Sequence, residues 1–464
     1  MATTALPATS SVPDWVREPA VAGLFYPADP GELRAAVADH VDRAPLPVPA
    51  IEPRALIAPH AGYRYSGATA GVAYRAVAAR RGHVDRVLLA GPAHRVAVDG
   101  IGVGVSTARA WRTPLGELPV DVDTCRRLVA DGAAVEADEA HAPEHSLEVH
   151  LPFLLEVLGP VAIVPLVVGR CPASTVAAAL GGAWDGDATL VIVSSDLSHY
   201  LAEDEARTRD ERTRLAIIEG RSGDIGPYDA CGCVPITGLM MAARDHDLAP
   251  RTLAITTSAA ASGDITRVVG YGSFSFEPPR PLGDAERSWL LTRARAAIGH
   301  ELITGEVDPL GDRDVPEQLC LPGASFVTLE REGGPVGCIG SLEPTRPLWV
   351  DVARNARAAA LGDPRYEPLD RAGLDGAVVR ISVLSPLQPL PTGRDELIVA
   401  LRPGTDGVLL ETDDHRGTFL PTVWEKVPVP EQFVAALLAK AELPADTWPV
   451  DVRAWRYTTD EFAH

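Results

Sequence analysis

Short, continuously apolar runs alternate with helical stretches along the first part of the chain, and this alternation constrains the fold most. The predicted strands are 55–58, 87–90, 162–168, 190–194 and 253–257. An Ala-rich helical stretch at 67–80 separates the first two. Strands that are apolar along their whole length are typical of a parallel sheet covered on both faces. We therefore predict an α/β fold with helices on both faces, and an edge strand at the alternating run 268–276.

A proline-rich segment ends this pattern. Pro278, Pro279 and Pro281 lie close together, and proline can continue neither a helix nor a central strand. Asp284 can then cap a helix that runs to about Leu302. We predict a flexible tail at 1–15, a first domain at 16–279 and a second domain at 280–464.

The second domain has a different pattern, in which β-rich runs lie close together. The runs 325–329 and 336–339 flank Gly333-Gly334, which indicates a hairpin. The runs 397–401 and 408–411 predict a second hairpin. Helical stretches flank both, so we predict an α+β domain.

Composition and charge limit the classes of molecule that the protein is expected to bind. The 464 residues are 46% hydrophobic and carry a net charge of −21, and an acidic protein repels phosphate backbones and anionic lipids. We therefore predict neither nucleic acid nor a membrane as a partner. The six cysteines form no disulfide framework, and no signal peptide or membrane-spanning apolar run is evident. These features favour a cytoplasmic location.

Three histidines follow predicted strands of the first domain. His60 follows 55–58, His94 follows 87–90, and His199 closes the run 190–194. One helix separates the first two histidines, which suits a βαβ crossover of about 30 residues. Ligands of open α/β sheets bind outside the carboxyl ends of the strands. The three imidazoles are therefore predicted to converge at one edge of the sheet, although any one of them alone could be an ordinary loop residue.

Two further segments carry candidate groups. His145 and Glu148 have the i, i+3 spacing that places two side chains on one helical face. They could transfer protons or orient a ligand imidazole, or His145 could simply begin a helix. Cys231 and Cys233 precede an apolar helix, whose N-terminus would lower a thiol pKa. One of them could complete a metal site, and Cys233 is interpreted as a buried small residue.

Taken together, these motifs resemble the Memo family over about residues 16–277. The matching segments are 17–27, 59–62, 91–94, 144–152, 194–199 and 231–232. The resemblance implies a fold similar to the LigB-type class III extradiol dioxygenases, which use non-haem Fe(II).

The resemblance also implies roles for individual residues. His60, His94 and Cys231 would form the metal site, and His199 and His145 fall where the dioxygenases carry acid–base histidines. Glu148 and Asp196 are candidates to orient the ligands.

The second domain resembles the AMMECR family over about residues 284–460. The matching segments are 337–342, 381–386, 406–410 and 418–426. Many prokaryotes encode the two families together with a radical SAM protein, so the resemblance implies a fusion of two parts of this AmmeMemoRadiSam system. Cys338 is a candidate functional thiol here, or a small buried residue in a hairpin.

Two functional hypotheses follow from the resemblance. The first is a metal-dependent oxidoreductase of the extradiol-dioxygenase type, acting on a small molecule such as an aromatic diol with O2. Fe(II) is the favoured cofactor, and Cu or Zn also suit a site with a thiolate ligand. The second is a non-catalytic metal- or peptide-binding module that acts with a radical SAM partner.

Overall fold

The structure, a computed structural model, describes residues 15–45, 52–306, 315–444, 448–449 and 451–464. These residues form two units, one that ends at Arg280 and one that begins at Pro281. The proline-rich segment thus coincides with the break between the units. The predicted flexible tail, apart from Trp15, lies outside the described residues.

The first unit contains twelve strands and nine α-helices among its described residues. The strands are β1 (Val16–Arg17), β2 (Ala55–Ala58), β3 (Arg86–Pro92), β4 (Val103–Val105), β5 (Ala110–Thr113), β6 (Gly116–Pro119), β7 (Val135–Glu136), β8 (Ala162–Val168), β9 (Thr189–Ser194), β10 (His199–Leu201), β11 (Ala249–Thr257) and β12 (Val268–Glu277). The α-helices are α1 (Pro30–Asp42), α2 (Tyr63–Val77), α3 (Val122–Ala130), α4 (Asp138–His141), α5 (Leu151–Val157), α6 (Ala173–Ala183), α7 (Glu203–Ile218), α8 (Cys233–Asp245) and α9 (Ala259–Ser262). Short 3₁₀ helices span Ala78–Arg80, Glu148–His150 and Ser222–Asp224.

A nine-stranded sheet forms the centre of this unit. Its order is β10-β12-β2-β9-β3-β8-β4-β7, and β11 also pairs with β12. The central strands β2, β9, β3 and β8 run parallel, as the apolar runs predict. Every residue of β2 and β9 is buried, which confirms a sheet covered on both faces. Parallel strands end at the same edge, so the segments after β2, β3 and β9 meet there.

Two predictions about the last strands of this sheet are wrong. β12 is not an edge strand, because it pairs antiparallel with both β2 and β11. Its small residues allow close packing: a Cβ on Gly270 would come within 1.9 Å of the Asp210 carboxylate on α7. The alternation in β12 therefore reflects helix packing and not solvent exposure. β11 is antiparallel and lies outside β12, so it does not extend the parallel sheet.

The second unit contains eight strands and six α-helices among its described residues. The strands are β13 (Ser325–Arg331), β14 (Gly334–Gly340), β15 (Val378–Leu384), β16 (Gln388–Pro389), β17 (Gly407–Glu411), β18 (Arg416–Phe419), β19 (Arg453–Tyr457) and β20 (Thr459–Ala463). The α-helices are α10 (Asp284–Thr304), α11 (Glu317–Cys320), α12 (Leu348–Leu361), α13 (Arg371–Asp375), α14 (Arg394–Ala400) and α15 (Pro430–Lys440), and a 3₁₀ helix spans Pro421–Glu425.

Two four-stranded sheets, ordered β14-β13-β15-β20 and β16-β19-β17-β18, make this unit α+β. The hairpin across Gly333-Gly334 is confirmed as β13–β14. The predicted strand at 397–401 is wrong, because Leu397 lies in α14, whose first turn carries Asp395 and Glu396. Those acidic residues favour a helix N-terminus, and β17 pairs instead with β18 and β19.

The helix predicted after the proline-rich segment is confirmed as α10, with a different cap. Gly283 is the N-cap residue, and its backbone amide donates a 2.6 Å hydrogen bond to the Glu286 carboxylate. Asp284 is the first helical residue and not the cap. No helix in the described part of the chain is long and apolar enough to cross a bilayer.

His150, a buried residue at the end of the 3₁₀ helix before α5, predicts that the first unit loses stability in acid. Its Nδ1 lies 3.0 Å from the Tyr74 hydroxyl, and burial lowers its pKa from 6.5 to about 3. Between these pKa values the unfolded chain binds a proton that the folded chain does not, so stability falls as the pH drops below about 6.5. We expect His150 to contribute about 2 kcal/mol to the loss of unfolding free energy between about pH 7 and about pH 5.

Urea unfolding of the His150→Gln variant at both pH values measures this contribution. The variant should lose less stability on acidification than the wild type. His83→Gln, at an exposed histidine, is the control and should match the wild type. An unchanged acid response in His150→Gln would contradict the assignment.

Candidate metal centre

Three imidazoles converge at the carboxyl edge of the parallel strands. His60 follows β2, His94 follows β3, and His145 lies in the loop between α4 and α5. One ring nitrogen from each lies within 4.8 Å of the other two. The ring centroids are 5.1 Å apart for His60 and His94, 5.5 Å for His60 and His145, and 4.7 Å for His94 and His145. This grouping has the size of a metal site.

Hydrogen bonds on the far side of two rings fix which nitrogen faces the cluster. The Ser194 hydroxyl donates to the Ser146 carbonyl, so it can only accept from His60 Nδ1, 2.6 Å away. His94 Nδ1 lies 3.0 Å from the Glu144 carboxylate, which accepts its proton. With its proton on Nδ1, each ring in its neutral form keeps a lone pair on Nε2. Metal-binding histidines are commonly held in this way.

Glu144 is the carboxylate that organises the cluster. It accepts hydrogen bonds from the backbone amides of His94 at 2.6 Å, His145 at 2.9 Å and Ser146 at 2.9 Å. Burial alone would raise the pKa of Glu144, but contacts with His145 and His94 and these amides hold it well below its usual value. The group is therefore an anion at neutral pH.

His145 is the third imidazole of the cluster, and its Nδ1 atom has no hydrogen-bond partner among the described residues. This buried atom lies 3.1 Å from Glu144 but is not aligned for a hydrogen bond. The ring packs 4.6 Å from Phe25. Burial lowers the pKa of His60 well below 6.5, and the charges of His94 and His145 lower it further. Neutral imidazole is the form that binds metals.

Cys231 lies beside this cluster but outside the three-imidazole group. Its Sγ is 3.3 Å from His60 Nε2 and 3.6 Å from the Asp196 carbonyl. Burial raises the pKa of Cys231 to about 12, and the negative charge of Asp196 adds to the rise. The lowering expected from the helix N-terminus is therefore wrong for this thiol. Cys233, the first residue of α8, is half-buried, and burial raises its pKa as well.

His199 and Asp196 lie after β9, which separates β2 from β3. His199 Nδ1 donates a 2.8 Å hydrogen bond to the Leu197 carbonyl, so its Nε2 can accept a proton. Asp196 is buried and accepts a 2.8 Å hydrogen bond from the His60 amide. Burial raises the pKa of Asp196, while His199 and His145 act in the opposite direction. Asp196 thus positions His60 through its backbone.

Glu148 forms no hydrogen bond or ion pair with any of the three imidazoles. It is fully buried and accepts hydrogen bonds from Arg17 Nη1, the Ala20 and Val21 amides and the Tyr26 hydroxyl, at 2.6–3.0 Å. The predicted shared helical face with His145 is wrong, because His145 precedes the first helical turn at Glu148. Glu144, next to His145 in the sequence, takes the orienting role. The adjacent carboxylate and imidazole were the only sequence signal for it.

Cys338 lies on the edge strand β14 of the second unit. It is half-buried, its Sγ accepts a 3.2 Å hydrogen bond from Thr328, and its amide donates to Asp363. A Cβ on the preceding Gly337 would come within 2.0 Å of the Ala359 carbonyl. The residue before Cys338 therefore allows α12 to pack closely on the strand.

Two protein-family models match separate parts of the chain. The family model described as Memo-like protein matches residues 17–275, and that described as AMMECR1 matches residues 291–462.

MEMO1 family proteins are among the similar curated proteins. That of Methanopyrus kandleri is 35% identical over 289 residues, which cover 56% of this chain and 98% of that protein. The MEMO1 family protein of Methanothermobacter thermautotrophicus is 34% identical over 286 residues, which cover 56% of this chain and 100% of that protein. A crystal structure of an uncharacterised protein from Pyrococcus horikoshii matches with 30% identity and a TM-score of 0.38, covering 39% of this chain and 93% of that one. On the family models and the two MEMO1 family relatives, the chain belongs to the Memo family and carries an AMMECR1 domain after its Memo-like domain.

Proposed function

We propose that the Memo-like domain is a metal-dependent oxidoreductase that uses non-haem Fe(II) and O2 on an aromatic diol. The observation that carries the proposal is the convergence of His60, His94 and His145, with nitrogens within 4.8 Å of one another. Neutral imidazoles suit Fe(II), Zn and Cu alike. The fixed Nδ1 atoms of His60 and His94, and the unsatisfied Nδ1 of His145, fit a site built to hold an ion.

The roles of the surrounding residues follow from their hydrogen bonds. Fe(II) bound by the three imidazoles would supply the one-electron chemistry that lets O2 react with an electron-rich diol. His199 would accept a proton from a diol hydroxyl at Nε2, because its Nδ1 is committed to the Leu197 carbonyl. Asp196, held between the backbone of His60 and the charge of His199, would stabilise the protonated ring. Glu144 would keep His94 oriented.

Cys231 is the alternative third ligand that the resemblance implies, and substitution with Co(II) distinguishes it from His145. A thiolate ligand gives an intense sulfur-to-metal charge-transfer band, which an all-imidazole site lacks. If His145 is the ligand, the wild-type chain has no such band and His145→Gln loses affinity while Cys231→Ser keeps it. A strong band that disappears in Cys231→Ser would assign the thiol instead.

Oxygen uptake after anaerobic loading with Fe(II) tests the activity. A panel of catechols should include at least one that supports uptake by the loaded wild type. His199→Ala should keep its iron but lose turnover by about 100-fold or more, and His83→Ala should behave like the wild type. Tightly bound iron without uptake on any diol would instead favour a non-catalytic binding module that acts with a radical SAM partner.

A further inference from the structure

The peptide group that joins Leu197 to Ser198 forms a hydrogen bond at each of its polar ends. Its carbonyl accepts a 2.8 Å hydrogen bond from His199 Nδ1, and its N–H donates a 3.0 Å hydrogen bond to Asp210 Oδ1. A peptide group is planar, and in the trans form its C=O and N–H point in opposite directions. A carboxylate that fixes the N–H therefore also fixes the direction of the carbonyl that His199 reaches.

Asp210 reaches this peptide group from α7 because β12 has a glycine at the point of contact. A Cβ on Gly270 would come within 1.9 Å of Asp210 Oδ2. Gly270 also pairs with the two residues that share the peptide group: its carbonyl accepts from the Leu197 amide and its amide donates to the Ser198 carbonyl, both at 2.8 Å. The segment just before His199 is thus held by both β12 and α7.

The Asp210 carboxylate is an unfavourable group for the core of a helix–sheet contact. The residue is fully buried, and its Oδ2 has no hydrogen-bond partner among the described residues. A buried charge with one oxygen unsatisfied costs free energy of folding, and burial raises the pKa of Asp210 accordingly. The next residue, Glu211, is exposed. The cost of burying Asp210 points to a role beyond stability.

Strand pairing by itself does little to set the ring of His199. β10 has three residues and pairs with β12 at His199 and Leu201, with a shift of register between them. Tyr200 has a φ of +60°, a conformation that such a residue adopts only where its surroundings hold it. The hydrogen bond to the Leu197 carbonyl is therefore needed to set the ring, and it depends on the peptide group that Asp210 holds.

We propose that Asp210 is a positioning residue for His199 and acts through the peptide group between Leu197 and Ser198. The carboxylate orients the carbonyl, and the carbonyl holds the imidazole with its proton on Nδ1 and its lone pair on Nε2. Hydrogen bonds in such a series also strengthen one another, by about 10–30% each. In a Ser-His-Asp triad the carboxylate fixes the tautomer directly, whereas here one peptide group lies between the two side chains. The inference rests on the proposed function only for the use that is made of the Nε2 lone pair.

The tautomer of His199 tests the proposal in the metal-free full-length chain, without substrate or turnover. Nitrogen-15 NMR of the histidine-labelled protein distinguishes a ring protonated on Nδ1 from a ring protonated on Nε2. A pH of about 8.5 keeps the imidazole neutral, and the signal is assigned by its loss in His199→Gln. The wild type should carry the proton mainly on Nδ1, whereas a histidine side chain in water favours Nε2.

Substitution of Asp210 should change this tautomer in a way that depends on the acceptor. Asp210→Ala should lower the ratio of the Nδ1–H to the Nε2–H form by about fivefold to tenfold, as expected for the loss of one hydrogen bond. Asp210→Asn should keep the wild-type ratio, because its amide oxygen can still accept from the Ser198 amide. Glu211→Ala, at an exposed residue of α7 that pairs with Arg214, is the matched control. A wild-type ratio in Asp210→Ala, or a loss as large in Asp210→Asn, would overturn the proposal.

Gly270→Ala tests the same contact from β12. The added methyl group should displace the Asp210 carboxylate and lower the tautomer ratio as Asp210→Ala does. Combining the two substitutions removes the clash, so the double variant should melt at a higher temperature than Gly270→Ala. A melting temperature that falls in Asp210→Ala while the ratio stays at its wild-type value would assign the carboxylate to the fold and contradict the positioning role.

The positioning role and the proposed function fail in distinguishable ways. If the iron-loaded wild type takes up O2 with no diol, but Asp210→Ala still shifts the tautomer, the proposed function is wrong and the positioning role stands. If a diol supports uptake and Asp210→Ala changes neither the tautomer nor the rate, the positioning role alone is wrong. Where both are right, Asp210→Ala should lower kcat at unchanged iron content and Asp210→Asn should restore it.

Discussion

Alanine at His94 or His60 is expected to remove metal binding from the Memo-like domain, by more than about 100-fold in affinity. Each substitution deletes one of three imidazoles whose nitrogens lie within 4.8 Å of one another. The measurement is competition with a chelator, followed by metal analysis of the dialysed protein. The melting temperature of metal-free His94→Ala should stay close to that of the metal-free wild type, because the His94 side chain is 28% exposed. His60 is buried, so His60→Ala should also lower the stability of the metal-free chain.

Glu144→Gln should lower the metal affinity by a smaller factor, about 10–100-fold. The amide keeps one acceptor oxygen but removes the charge and puts an NH2 donor in place of the other oxygen. It therefore cannot accept hydrogen bonds from all of the backbone amides of His94, His145 and Ser146. Glu139→Gln, at an exposed position on α4, is the matched control. If Glu144→Gln emptied the centre as completely as His94→Ala, the carboxylate would be a ligand and not an orienting group.

Sequence patterns predicted the histidine pair because the relevant information is local. Apolar runs locate the strands, parallel strands end at one edge, and His60 and His94 each follow such a run. The strand between them, β9, was not predictable as their neighbour, since strand order depends on pairings between distant segments. For the same reason, the position of β12 inside the sheet was missed.

His145 and Glu144 were not predicted as a unit for a different reason. The i, i+3 rule holds only inside a helix, and the segment before Glu148 is a loop. That loop is shaped by Arg17, far away in sequence, which donates to the carbonyls of His141 and Glu144. The prediction of a strand at 397–401 was also wrong, because an apolar run of that length is compatible with either a helix or a strand.

A buried ion pair between Arg17 and Glu148 holds the loop that carries His145 in place. The Arg17 Nη1 to Glu148 Oε2 distance is 2.6 Å, and the exposed fractions of the side chains are 2% and 0%. The Arg17 guanidinium also lies 4.4 Å from the centroid of Trp111. Glu148 accepts from the Ala20 and Val21 amides in addition. The N-terminal segment and the loop that carries His145 are thus tied to one another through this pair.

Glu148→Ala is therefore expected to destabilise the first unit by about 3–5 kcal/mol, the usual cost of leaving one buried charge without its partner. Arg17→Met combined with Glu148→Leu should recover part of this loss, because neither charge then remains buried. The Ala20 and Val21 amides and the Tyr26 hydroxyl still lack their acceptor, so recovery should be incomplete. Asp39→Ala, which breaks an exposed pair with Arg43, is the control and should cost less than about 1 kcal/mol. Urea unfolding measures all three variants.

Metal affinity separates the positioning role of the pair from its contribution to stability. The double variant regains folding free energy but lacks the Arg17 donors to the carbonyls of His141 and Glu144, so His145 should be less well held. We expect its metal affinity to remain about tenfold below that of the wild type even where its stability is restored. Full recovery of both quantities would show that Arg17 and Glu148 support only the fold. Recovery of stability alone would show that the N-terminal segment positions the third imidazole of the metal centre.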